Sequence, residues 1–251
     1  MTDRDTLRIA AIADIHVKKS SAGVMQPIFA QATERADVLL LCGDLTDYGT
    51  VEEAKVLAKE ITSSLRIPAI GVLGNHDLES NQEQEVVRIL TDAGVVMLDG
   101  DSYELHGVGF AGVKGFGGGF GRRALGAWGE KIIKEFVHEA INESLKLESA
   151  LARLRTPQKI ALLHYSPIQA TVEGEPLEIV AFLGSSRLEE PLDRYRVNAV
   201  FHGHAHRGSP EGRTKANAPV YNVAMHVMAT AFPSEPPFRI IEVPVGATAA
   251  A

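Results

Sequence analysis

Residues that can bind metal ions or transfer protons follow directly after five short apolar runs of the chain. They are Asp14 and His16, Asp44, Asn75 with His76 and Asp77, His164, and His204 with His206. Imidazole and carboxylate donors without a thiolate suit Mn, Fe or Zn at a catalytic centre better than they suit a structural zinc. All of these residues except His76 and Asp77 are candidate ligands, a set too large for one ion but suited to two that share a carboxylate. Two ions about 3.5–4 Å apart can hold both the attacking and the leaving oxygen of a phosphoryl transfer, and the pattern predicts this chemistry.

The spacing of these residues supports a shared site. Asp14 and His16 are two residues apart, as are His204 and His206, and side chains two apart on an extended chain point to the same side. A glycine stands directly before three of the polar residues, where a close backbone approach leaves no room for a Cβ; these glycines are Gly43, Gly74 and Gly203.

The apolar runs are predicted to be strands that position these side chains. They cover residues 7–13, 38–42, 67–73, 160–163 and 197–201, and their nearly continuous apolar character is typical of strands buried on both faces. Helical patterns lie between them at 25–35, 51–65, 82–93 and 127–154. Thr50 with Glu53 forms a predicted capping box, and Gly94 stands where a helix would end. This alternation predicts βαβ units around a largely parallel sheet, whose carboxyl edge would collect the polar residues.

Two segments depart from the alternation. Residues 95–121 are predicted as short strands and glycines, and residues 219–245 as two strands, 220–227 and 238–243, joined by a turn that contains proline. No polar linker separates either segment from the rest, so we expect one domain over residues 1–251. Residues 1–6 and 246–251 are expected to be frayed tails.

Composition narrows the possible partners and surroundings of the protein. The 251 residues carry 25 Lys and Arg against 32 Asp and Glu, a net charge of −7 without a basic tract, so binding of long nucleic acid is not expected. Cys42 is the only cysteine, which excludes an internal disulfide and favours the cytoplasm. The polar start and the short apolar runs predict neither a signal peptide nor a membrane span. The sequence leaves open whether the chain forms a homo-oligomer.

Taken in order, the blocks Asp-x-His, Gly-Asp, Gly-Asn-His-Asp, His and Gly-His-x-His resemble the calcineurin-like metallophosphoesterase superfamily over residues 7–243. The resemblance implies an α/β fold, a four-layer αββα sandwich in which two central mixed β-sheets are flanked by helices. It implies that one divalent ion is held by Asp14, His16, Asp44 and His206, and a second by Asp44, Asn75, His164 and His204. It also implies that His76 protonates the leaving oxygen and that Asp77 orients His76.

The blocks also bear on the substrate. Two phosphate-binding arginines that the protein phosphatases of this superfamily carry are absent from Gly43 to Gly49 and from Leu73 to Asp77. The motif that begins at Gly43 is similar to that of the branch that contains the bacterial class III cyclic-nucleotide phosphodiesterases. We therefore expect hydrolysis of a small phosphodiester, for example a cyclic nucleotide, by a hydroxide that bridges two ions of Mn, Fe or Zn. A phosphomonoesterase or nucleotidase, a nuclease, and a binding module without activity are the alternatives.

A glycine-rich loop at 115–121 precedes Arg122 and Arg123. One interpretation is a mobile flap whose arginines meet a substrate phosphate. The other is a surface turn with two solvated arginines. For Cys42, at the end of a buried strand, we expect a core role and no nucleophilic one. Asp47 and Tyr48 are interpreted either as substrate contacts or as part of a solvated turn.

Overall fold

The computed structural model describes residues 5–245. The strands are β1 (Thr6–Ile12), β2 (Val38–Cys42), β3 (Ala69–Val72), β4 (Val95–Met97), β5 (Asp101–Leu105), β6 (Val108–Gly112), β7 (Gln158–Leu162), β8 (Ala199–His202), β9 (Glu211–Arg213), β10 (Pro219–Asn222) and β11 (Arg239–Pro244). The α-helices are α1 (Gln26–Arg35), α2 (Val51–Ser64), α3 (Glu83–Asp92), α4 (Lys131–Arg153), α5 (Glu189–Arg194) and α6 (Met225–Ala231). Short 3-10 helices cover His76–Leu78, Gly121–Arg123, Gln169–Val172 and Val180–Phe182.

The strands form two mixed sheets. The first has the order β11-β1-β2-β3-β4, in which β1 to β4 are parallel and β11 runs antiparallel to β1. The second has the order β5-β6-β7-β8-β10-β9, with parallel strands in the middle and antiparallel strands β5 and β9 at its edges. The parallel centre of each sheet places several strand ends at the same edge.

The two sheets pack face to face between layers of helices. Ile9, Leu40 and Ile70 of the first sheet share one buried cluster with Phe110 and Phe201 of the second. The outer face of the first sheet packs against α1, α2 and α3, and the outer face of the second against α4 and α5. The burial of apolar surface on both faces of each sheet accounts for the continuous apolar character of the central strands. The αββα sandwich is therefore confirmed.

Local signals in the sequence determine several element ends. Thr50 accepts a hydrogen bond from the Glu53 backbone while the Glu53 carboxylate accepts one from the Thr50 backbone, which confirms the capping box of α2. Gly94 has φ +94° just after α3, the left-handed conformation that commonly ends a helix.

The prediction for residues 220–227 is wrong. Strand β10 ends at Asn222, and the chain then turns into helix α6. The buried Asn222 side chain donates to the Ala205 carbonyl at 2.7 Å and accepts from the Ala224 backbone at 3.2 Å, which diverts the chain from the sheet. At the other end, Thr6 lies in β1 opposite Pro244, so residue 6 is not frayed; residues 1–4 and 246–251 lie outside the described part.

Candidate active site

The candidate ligands converge because both sheets present the carboxyl ends of their parallel strands to one place. Asp14, Asp44 and Asn75 follow β1, β2 and β3 of the first sheet. His164 and His204 follow β7 and β8 of the second sheet. Ligand sites outside the carboxyl ends of strands are a general property of α/β sheets.

The backbone at the site is not extended, contrary to the prediction for the pairs of ligands two residues apart. Asp14, His16, Asp44 and His204 have φ of 56°, 41°, 49° and 68°, in the left-handed region. Each such residue is strained by on the order of 1–3 kcal/mol, and such strain is common at functional sites. Backbone hydrogen bonds stabilise the turn at residues 14–16: the Asp14 N–H donates to the Gly43 carbonyl at 3.0 Å, and the His16 N–H donates to the Asp44 carbonyl at 3.1 Å.

Asp14, His16 and His206 form the first ligand group, whose potential donor atoms all lie within 4.8 Å of one another. The His206 Nε2 is 2.9 Å from Asp14 Oδ1, and the rings of His16 and His206 meet edge to face at 5.6 Å. The Asp14 carboxylate also accepts the His204 backbone N–H, which fixes its orientation.

Asp44, His164 and His204 form the second ligand group, again within 4.8 Å. His164 Nε2 lies 3.3 Å from Asp44 Oδ1 and 2.9 Å from Asn75 Oδ1. The rings of His164 and His204 are 4.9 Å apart. Asn75 is thus brought to the same group, as the sequence predicts, although its role as a ligand stays a prediction.

The Asp44 carboxylate lies between the two groups. Its Oδ1 faces His164 and its Oδ2 is 3.8 Å from His16 Nε2. Asp44 is almost fully buried. This arrangement is what a carboxylate shared by two ions requires.

The His16 ring provides an observation that fits a cation. Both of its nitrogens are buried, and neither has a hydrogen-bond partner among residues 5–245. A buried polar atom without a partner is uncommon in proteins and needs an explanation. Imidazole nitrogens that face carboxylates but lack hydrogen bonds are suited to a metal ion, so the residues present fit divalent ions.

Electrostatics favour the neutral, metal-binding form of two of the four candidate ligand histidines, His16 and His204. Burial lowers the pKa of His16, although Asp44 and Asp14 oppose the shift. Burial together with the charge of His164 lowers the pKa of His204 to about 3. Both rings are therefore neutral near pH 7, which is the state in which imidazole coordinates a cation. Against the effect of burial, the Asp44 carboxylate raises the pKa of His164 to about 9, and the hydrogen bond to Asp14 raises the pKa of His206.

His76 stands beside the first group with one ring nitrogen already engaged. Its Nδ1 is 2.7 Å from the Asp47 carbonyl oxygen, and its ring meets the His16 ring edge to face at 4.6 Å. Because a carbonyl only accepts, Nδ1 carries a proton and donates it, which leaves Nε2 available. The His76 backbone also donates to Asp44 Oδ1 at 2.9 Å.

The expectation that Asp77 orients the His76 ring is wrong. The fully buried Asp77 carboxylate accepts hydrogen bonds from the backbones of Leu45, Thr46 and Gly74 and from the Thr46 hydroxyl. Asp77 therefore connects the loop after β2 to the loop after β3 through hydrogen bonds. The His76 ring is instead oriented by the hydrogen bond between its Nδ1 and the Asp47 carbonyl.

The glycine-rich loop at 115–121 is held by hydrogen bonds to other parts of the chain. Gly118 and Gly119 are buried and donate to the carbonyls of Ala181 and Gly184, and Gly115 donates to the buried Glu143. The loop is thus packed against residues 181–186. Arg122 and Arg123 are exposed, and within residues 5–245 neither side chain has a hydrogen bond or ion pair with the site.

Two site residues had only a weak signal in the sequence. Tyr165 follows His164 directly, and its ring lies 4.4 Å from that of His204. Asp47 lies in the block after β2, and its Oδ1 is 3.5 Å from His16 Nδ1, so that Asp47, His16 and His76 form a third compact cluster.

Comparison with known proteins agrees with this geometry. A family model described as calcineurin-like phosphoesterase matches residues 7–208. The chain belongs to the calcineurin-like phosphoesterase family. It is a metal-dependent hydrolase of phosphoric esters, and the resemblance seen in its sequence is confirmed.

One curated relative is a probable glycerophosphodiester phosphodiesterase GpdQ of Arcobacter nitrofigilis, 27% identical over 217 residues that cover 81% of this chain and 71% of the relative. Two solved structures share the fold. The phosphopantetheinyl hydrolase PptH of Mycobacterium tuberculosis has a TM-score of 0.68 at 13% identity, with 97% of each chain covered. TT1561 of Thermus thermophilus has a TM-score of 0.56 at 15% identity, with 96% of this chain and 99% of TT1561 covered. Within residues 5–245 no helix is both long and apolar enough to cross a membrane.

Proposed function

We propose that this protein hydrolyses a small phosphodiester at a centre of two divalent metal ions. The observation that supports the two-ion centre is the position of Asp44, whose two oxygens face two separate ligand groups. A single ion would need only one of these groups.

The proposed ligand sets follow the two groups. The first ion would be held by Asp14, His16, Asp44 and His206, and the second by Asp44, Asn75, His164 and His204. Two divalent ions bound there supply a nucleophile from water at neutral pH and offset the charge on the phosphoryl oxygens. Imidazole and carboxylate donors suit Mn, Fe or Zn.

His76 is the proposed general acid. With Nδ1 donating to the Asp47 carbonyl, protonated His76 presents its Nε2–H beside the first ligand group. That proton can pass to the leaving oxygen as the P–O bond breaks, a contribution of about 10²–10⁴ in rate for alcohols that leave poorly. Asp47 is the proposed positioning residue for His76.

A diester is favoured over a monoester because the relative from Arcobacter nitrofigilis carries the name of a phosphodiesterase. Hydrolysis of a monoester is the alternative, and a structural neighbour named as a putative 5'-nucleotidase, at 14% identity, shares only the fold. The net charge of −7 argues against a long nucleic acid, since phosphate contacts along a polymer depend on Lys and Arg.

The proposal is tested with the purified protein loaded with Mn²⁺, by hydrolysis of bis-p-nitrophenyl phosphate and by elemental analysis of bound metal. Asp44→Ala should lose hydrolysis and both ions. Asp92→Ala removes an exposed carboxylate that pairs with Arg88 on α3 and should retain both. Two equivalents of metal in Asp44→Ala would contradict a shared ligand, and hydrolysis of p-nitrophenyl phosphate alone would favour the monoester.

A further inference from the structure

The structure contains a cleft of about 460 Å³ that neither the proposed ligands nor His76 line. Its walls are mostly apolar and come from α3, β4 and the segments after β3 and β6. The residues used below are Leu73, Leu78, Val87, Met97, Leu98 and Lys114. The volume is within the range of small-molecule sites, about 300–1,000 Å³.

Two residues that line the cleft are close in sequence to proposed site residues, and the backbone of a third is hydrogen-bonded to His164. Leu73 precedes Asn75 by two residues, and Leu78 belongs to the short helix that carries His76. The Lys114 carbonyl accepts the backbone N–H groups of His164 at 2.9 Å and Tyr165 at 3.0 Å. A phosphodiester held at the ligand groups could therefore extend one of its ester groups into the cleft.

Lys114 is the cationic residue among those that line the cleft. Its ammonium donates to the Gly115 carbonyl at 2.7 Å and lies 5.0 Å and 5.3 Å from the ring centres of Phe116 and Tyr165. An ammonium has three donors, and in the described part of the chain no carboxylate lies within 4.0 Å of it, so donors remain for a ligand. Burial lowers the pKa of Lys114, although the charges of Glu143 and Glu139 oppose the shift.

The remaining lining narrows the chemical class of the occupant. Glu83, Asp99 and Asp101 also line the cleft, which disfavours a group with several negative charges. Apolar walls favour a ring or an alkyl group, and the ammonium favours a hydrogen-bond acceptor on it. A neutral heteroaromatic ring meets both conditions.

We propose that this cleft binds the ester group that stays on the phosphate, that this group carries a neutral heteroaromatic ring such as a nucleobase, and that Lys114 donates a hydrogen bond to the ring. The proposal rests on the proposed function, because the phosphate must be held at the two ligand groups. Val87, on the wall formed by α3, would then limit the size of the ring.

The test compares two diesters with the same leaving group, methyl p-nitrophenyl phosphate and the p-nitrophenyl ester of thymidine 5'-phosphate, both with Mn²⁺. The measured quantity is the ratio of kcat/KM for the thymidine ester to that for the methyl ester. We expect a ratio of ten or more for the unmodified protein, and a ratio near one for Val87→Trp, which fills the cleft. Arg88→Trp is the matched control, because this neighbouring side chain is exposed on the same helix and should leave the ratio unchanged.

Lys114→Met keeps most of the apolar stem and should lower the ratio about tenfold or more, mainly through KM, as loss of a hydrogen bond from a charged donor predicts. This variant decides the question if Val87→Trp does not fold. A ratio below ten in the unmodified protein, or one that both variants leave intact, would overturn the inference while hydrolysis of the methyl ester still supported the proposed function. If neither ester is hydrolysed, both the inference and the proposed function are overturned.

Discussion

Gly74 offers a direct test of how strictly the site depends on the position of Asp44. A Cβ on Gly74 would lie 2.1 Å from Asp44 Oδ1 and 2.3 Å from the Asp44 backbone nitrogen. Ordinary contacts begin at about 3.4 Å, so Gly74→Ala must displace the carboxylate or the loop by about 1.3 Å. The Gly74 N–H also donates to the buried Asp77 at 2.8 Å, so movement of the loop would strain that bond as well. Since a misplacement of about 1 Å can cost about 10²-fold, we expect kcat/KM to fall by roughly that factor.

The assay is hydrolysis of bis-p-nitrophenyl phosphate at saturating Mn²⁺, together with the metal dissociation constant from competition with a chelator. Metal affinity should fall by about 10–100-fold, as for loss of groups that orient a ligand. Gly71→Ala, in strand β3 three residues before Gly74, is the control, because its Cβ would meet the flexible Met97 side chain at 3.2 Å, and its kcat/KM should stay within about threefold. Unchanged activity and metal affinity in Gly74→Ala would refute the view that the site depends on a fixed Asp44.

Three further predictions follow from other residues. His76→Ala should retain both ions but hydrolyse methyl diesters with poor alcohol leaving groups about 10²–10⁴ times more slowly, with a smaller effect on p-nitrophenyl esters; an equal loss for both would contradict the acid role. Cys42 is fully buried, and burial raises the pKa of its thiol well above the usual range, so Ellman's reagent should label it only after unfolding; rapid labelling of the native protein would contradict a core role. His202 is fully buried and burial lowers its pKa to about 4, so the neutral ring stabilises the fold above pH 6.5, and about 3 kcal/mol of unfolding free energy is lost as the pH falls from 6.5 to 4. Urea unfolding of the metal-free protein should show this loss to be smaller in His202→Asn, and parallel pH profiles would contradict it.

The convergence of the ligands could be predicted from the sequence because each strand ends where its chemistry begins. Strand β2 is a continuous apolar run, and Asp44 follows two residues after it. A buried strand in a parallel sheet can end at only one edge, so residue type and position predicted the site. For two ligands that are two residues apart, the sequence could not predict which ligand group each of them joins. The backbone of His204 is in the left-handed conformation, and its side chain faces Asp44 and His164, whereas that of His206 faces Asp14.

Asp77 shows a second limit of prediction from the sequence. It stands next to His76, and adjacency in the motif suggested that it acts on His76. Its carboxylate instead accepts from Leu45 and Thr46, which are 32 and 31 residues away in the sequence. A buried carboxylate takes the donors that the fold brings to it, and local spacing carries no information about donors that arrive from another loop.

The sequence left two interpretations of the glycine-rich loop open because composition does not separate a glycine that permits motion from one that permits contact. A Cβ on Gly117 would lie 3.0 Å from the Ala181 carbonyl, and one on Gly118 would lie 3.1 Å from Ser185 Oγ. Glycine is required there because two backbone segments pack closely. The loop residues therefore pack against residues 181–186, whose Phe182 carbonyl lies 3.3 Å from His204 Nε2.

The carboxylates of the site have two functions, and this explains how a strained backbone can persist around it. Asp14 accepts the backbone N–H of His204, and Asp44 accepts that of His76, while the remaining lone pairs of each carboxylate face imidazole rings. These bonds, together with the hydrogen bonds to Asp77, stabilise the left-handed turns. Donors aimed in this way at fixed carboxylates hold the candidate ligands in one arrangement, and such preorganisation is what electrostatic stabilisation of a phosphate ester requires.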